Sequence, residues 1–139
     1  DLQLEDYTSR HFPAIRKGFL TVTAARGLVA PQGSHLGGAD RHGHAVVGMA
    51  NYGESDMHLS MSISCSAQLV GGIMRITGKS TAQVGTSVSA VIPSGQAMTL
   101  IYHFKNPSGS PGSITAHATY TINGREYAES ETAQFGAPN

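Results

Sequence analysis

Residues 57 to 69, MHLSMSISCSAQL, alternate without a break: Met57, Leu59, Met61, Ile63, Cys65, Ala67 and Leu69 are apolar, and every residue between them is polar. Successive side chains of a β-strand point to opposite faces, so the pattern describes a sheet with one dry face and one wet face. A dry face must be covered by a second layer, which the rest of the chain has to supply. The thirteen residues, at ~3.4 Å each, would span roughly 44 Å, too long for a small sandwich. The stretch is therefore expected to bend, bulge or cross between sheets near Ser64 to Ser66.

The same period recurs from about residue 19 to the end, and no 12-residue window carries a helical stripe. Leu20, Val22 and Ala24 alternate with Thr21 and Thr23, and strands are predicted again at 45–50, 73–77 and 87–92. Gly71 and Gly72 are expected to end or bend the long stretch, and Pro93-Ser94-Gly95 to turn the chain. Met98, Leu100, Tyr102 and Phe104 share one face, opposite Thr99, Ile101 and His103. Ile114, Ala116, Ala118, Tyr120 and Ile122 likewise oppose Thr115, His117, Thr119 and Thr121. Asn123-Gly124 then predicts a type I′ hairpin, with REYAESETAQF as the returning strand. The expected fold is all-β: a single-domain antiparallel β-sandwich of immunoglobulin-like or jelly-roll type with about seven or eight strands. Residues 1–18 form a leader and 19–139 the sandwich.

Nine basic and nine acidic side chains give a formal net charge of +0, and charged residues are 13% of the chain. No broad field is available to attract nucleic acid or an anionic membrane, and no apolar run approaches the ~20 residues of a membrane span. Catalysis is not expected, because there is neither a G-x-S-x-G elbow nor a Cys/His context that would activate Cys65. The glycines of GSHLGG and LVGGIM lack the spacing of nucleotide-binding loops, Trp is absent, and no cofactor is expected. The single cysteine cannot close an intramolecular disulfide, and its register predicts a buried, inert thiol. Low charge with abundant Ser, Thr and Gly fits a secreted, extracellular or particle-surface protein. A start at Asp1 fits a chain from which a signal peptide has been removed.

Two surfaces are candidates for function. Ser60, Ser62, Ser64 and Ser66 form the polar register of the long stretch. Small hydroxyls lose little side-chain entropy when covered and bond a partner without steric conflict, so the row suits a protein interface as well as a solvated face. The second candidate is the loop SHLGGADRHGH, in which His35, Asp40, His42 and His44 would make a zinc or copper site if the backbone there is extended. The stretch HAVVGMANYGESDMHLSMSIS resembles the strand-turn-strand of the periplasmic copper chaperones of cupredoxin-like fold, and IPSG at 92–95 is similar to their later turn. The paired His and Met motif of that family has no match in SAQLVGGIMRITG, and Met57 and Met61 fall in the core register with His58 opposite them.

The leader DLQLEDYTSRHFPAIRKG carries Leu2, Leu4, Tyr7, Phe12 and Ile15, too apolar to float and too short to fold alone. It is expected to pack on its own sheet or on a neighbour's, where added strands cover open edges. The expected function is protein–protein contact by a non-enzymatic extracellular or particle-surface β-sandwich: a self-assembling fibre, coat or adhesion subunit, forming a homo-oligomer or meeting another surface protein. The alternative is a secreted ligand- or metal-binding module using the His-rich loop 35–44.

Overall fold

The alternating segments become nine strands in the computed structural model, which describes residues 17–25, 42–105 and 111–136. They are β1 Gly18–Ala25, β2 His42–Asn51, β3 Met57–Cys65, β4 Gln68–Ile76, β5 Ala82–Val84, β6 Ser87–Ile92, β7 Ala97–Lys105, β8 Gly112–Ile122 and β9 Arg125–Phe135. Two sheets result, one in the order β1-β2-β7-β4-β5 and the other β6-β3-β8-β9. Every pairing is antiparallel. With β5 and β6 set aside, the order 1-2-7-4 over 3-8-9 is the A-B-E-D over C-F-G arrangement of an immunoglobulin constant-type sandwich. Of the two expected types, the immunoglobulin-like one is realised. The strand beyond the expected count is β5, whose three residues are too few to show a period.

Each apolar register turns inward. Met57, Leu59, Met61 and Ile63 of β3 meet Ala45, Val47 and Met49 of β2, Met98, Leu100, Tyr102 and Phe104 of β7, and Ile114 to Ile122 of β8 in one core. Burying each large aliphatic side chain contributes roughly 1.5–3 kcal/mol. The predicted hairpin also forms, with Asn123 at φ 53° and Gly124 at φ 80°.

The long stretch does cross between the sheets. β3 ends at Cys65 and β4 begins at Gln68 in the other sheet, with Ser66 and Ala67 between them. Ser66 anchors the step: its backbone N–H donates to Ser113 O at 3.0 Å, and its Oγ accepts from Ser113 N–H at 2.9 Å. Cys65, expected in the core, is instead half-buried, because the strand leaves its sheet at that residue. Partial burial still pushes the thiol pKa up, opposed by a hydrogen bond from the Ala67 backbone. Gly71 and Gly72 do not end the strand. The register between β4 and β7 shifts between Leu69 and Gly71, a bulge that turns Val70 outward, and β4 continues to Ile76.

One edge of the sandwich is closed by a carboxylate. Glu129 on edge strand β9 is buried, and its Oε1 accepts from the backbone N–H of Leu20 on edge strand β1 at 3.1 Å. Its Oε2 accepts from Tyr120 Oη. An edge N–H that would otherwise face outward is thus held across the gap between the sheets.

Candidate functional site

The outer faces of the two sheets differ in chemistry. On the four-stranded sheet, Ser60 stands between Ser89 of β6 and Thr119 of β8, Ser62 between Ser87 and His117, and Ser64 opposite Thr115. The serine row of the sequence is therefore one line of a hydroxyl grid, which Ser130 and Thr132 extend onto β9. Thr115 and Thr132 bond each other at 2.8 Å, and His117 Nδ1 bonds Ser130 Oγ. Ser60, Ser62 and Ser64 are exposed, with no hydrogen-bonded side-chain partner among the described residues. Toward one end this face holds a trough of about 1070 Å³, lined by polar residues such as His58, Ser60, Ser89 and Thr119 together with Val91 and Tyr127. Ser66 lies just beyond the end of β3, exposed, with its hydroxyl bonded to the Ser113 backbone at the crossover.

The five-stranded sheet presents an apolar row. Val46, Ile101 and Ile73 are paired in register across β2, β7 and β4, and they are 39%, 45% and 49% exposed. Val70, turned out by the bulge, is 51% exposed. The next row places His44 opposite His103, with Gly71 beyond it. Being two residues apart on β2, His42 and His44 point to the same side, and His103 stands between their rings. His103 Nε2 is 2.6 Å from His42 Nδ1, and His103 Nδ1 is 3.2 Å from His44 Nε2. Partial burial lowers the pKa of His103, and the adjacent His44, His42 and Lys105 charges lower it further.

The structure places His42 and His44 in strand β2, with extended backbone, and not in the expected loop. His35 and Asp40 lie outside the described residues, as do Leu2 and Leu4 of the leader. His103 belongs to no motif in the sequence. Its only local signal is its place beside Ile101 on the face opposite Tyr102, and cross-strand partners follow from strand order, which alternation does not encode. Among the described residues, no three His, Cys, Asp or Glu side chains already surround one point as a metal site would require. No helix among them is long and apolar enough to cross a membrane.

Fold and surfaces together define an immunoglobulin-like β-sandwich with one hydroxyl-rich and one apolar outer face. No protein-family model matches the chain, and no curated protein matches it. Solved structures do. The putative ApaA protein from Bordetella pertussis is 16% identical, with a TM-score of 0.51 over 87% of this chain and 94% of that one. A structural-genomics target is 12% identical, with a TM-score of 0.51 over 88% of both chains. The collagen-binding domain of a Staphylococcus aureus adhesin overlaps at 15% identity and a TM-score of 0.47, over 85% of this chain and 97% of that one. At such identities the first two establish a shared fold and nothing about activity.

Proposed function

We propose that this protein is a non-enzymatic β-sandwich of an extracellular or particle surface that acts by protein–protein contact, as a self-assembling fibre, coat or adhesion subunit. The observation that carries this reading is the in-register apolar row Val46–Ile101–Ile73 with Val70 beside it. Isolated exposed aliphatics need no explanation, but four in one patch on a sheet face mark a contact surface. Lys105 and Arg75 are the charged side chains of β7 and β4 near it, so a partner loses little charge solvation on docking. The hydroxyl grid with Ser60, Ser62 and Ser64 supplies a second, polar face for neighbours in an assembly, and the leader with Leu2 and Leu4 a segment to share between them.

Sedimentation velocity over a wide concentration range, with and without EDTA, tests the reading. Wild type is expected to associate with rising concentration whether or not EDTA is present, while Ile73→Asp combined with Ile101→Asp remains monomeric and folded. A wild type that stays monomeric and retains stoichiometric metal, or association abolished by EDTA, would move the function to the histidine row instead.

A further inference from the structure

We propose that the pair His44 and His103 binds a divalent late first-row metal ion of the zinc or copper kind on the outer face of the five-stranded sheet. The proposal has its own readout, although His44 and His103 line the same shallow pocket as Val70, Ile73 and Ile101. The ligands come from two hydrogen-bonded strands, β2 and β7, and strand pairing sets His103 directly opposite His44. His44 Nε2 and His103 Nδ1 are 3.2 Å apart. Two nitrogens bound at ~2.0–2.1 Å to one tetrahedral zinc stand about 3.3 Å from each other. These two imidazoles already hold the separation that one ion needs.

His42 lies on the other side of the His103 ring and is not a ligand to this ion. It contacts the far nitrogen of His103, Nε2, at 2.6 Å, so the three rings form a chain and do not surround a single centre. The rings pack with centroids 4.8 Å apart in both pairs, and the His44–His103 pair is T-shaped at 81°. His42 thus supports the His103 ring from the side away from His44 and leaves Nδ1 facing His44. Neutral imidazoles without a carboxylate or thiolate among them select zinc, copper or nickel over magnesium or calcium. Lys105, paired with His42 across the strands, is a cation beside the site and limits its affinity.

Isothermal titration of the full chain with ZnCl₂, and electron paramagnetic resonance with CuCl₂, test the site. One ion per chain is expected, and the copper spectrum should show coupling to two or more nitrogens. His103→Ala and, separately, His44→Ala should weaken binding by roughly tenfold or more, with circular dichroism confirming that each variant is folded. His58→Ala combined with His117→Ala, on the other sheet, should leave binding unchanged. Absence of binding to wild type, or undiminished binding in His103→Ala, overturns the proposal. So does binding that His35→Ala abolishes while His103→Ala spares it, because the ligands would then belong to the loop.

Discussion

At the scale of single residues, the buried polar atoms decide how uniquely the sandwich is held. Asn51 is fully buried, and its amide donates to the carbonyls of Ser55 at 3.0 Å and Ile92 at 2.8 Å while its Oδ1 accepts from Gly53 N–H at 2.8 Å. In sequence it is one more polar residue of a turn, NYGESD; only the folded chain shows that it ties that turn to the end of β6. Tyr102 is 1% exposed and donates to Gly85 O at 2.7 Å, and its burial pushes the phenol to about 12. The folded state holds this proton more tightly than the unfolded chain, whose tyrosines titrate near ~10. The associated stability is complete below about pH 10 and is lost as the pH rises toward 12, by roughly 2–3 kcal/mol across the window. Urea midpoints should therefore fall more steeply from pH 10 to 12 in wild type than in Tyr102→Phe. Parallel curves for the two proteins would show that the phenol is not held neutral by the fold.

At the scale of elements, the sequence predicts a bend, bulge or crossing near Ser64 to Ser66, and tertiary packing makes it a crossing and locates its landing. Alternation from Met57 to Leu69 continues through a change of sheet, because the inward faces of both sheets are dry and the parity survives the step. The bulge at Val70 then shifts the parity of β4, so Gly72 faces inward beneath the Tyr102 ring. A β-carbon at Gly72 would lie 2.5 Å from Tyr102 Cε1, and the ring is tethered at its hydroxyl. Gly72→Ala is accordingly expected to cost about 1–3 kcal/mol by overpacking. The cost should shrink in a Tyr102→Leu background, read as a coupling in a double-mutant cycle of chemical denaturation. Equal costs in the two backgrounds would mean that the glycine answers to something other than the ring.

At the scale of the whole molecule, the proposed assembly depends on surfaces and on the leader, and deletion of residues 1–16 separates their roles. The β-core has its own alternating segments, and β1 through β9 bury a common interior. The truncated chain is therefore expected to keep its β-rich circular dichroism and lose part of its self-association. A truncated chain with a lowered melting temperature and unchanged association would assign the leader to its own domain. In either case the apolar row Val46–Ile101–Ile73 remains on the surface, so the two contributions to assembly can be measured apart.

Most strand faces and the Asn123-Gly124 hairpin follow from the sequence alone, because period-2 alternation and turn chemistry are local properties, and the length of the 57–69 stretch calls for a break near Ser66 that the tertiary structure resolves as a change of sheet. Local rules also place Ile101 and His103 on the face opposite Tyr102. What stands beside them is settled by the tertiary structure: strand order brings Ile73 and Val46 to Ile101, and His44 to His103. The same holds for Glu129, a charged residue in a polar-looking strand that becomes the acceptor for Leu20 across the sheet edges. These partners are distant along the chain and meet only through pairing between strands, so the chemistry of both outer faces is a product of topology, while the identity of the faces is a product of sequence.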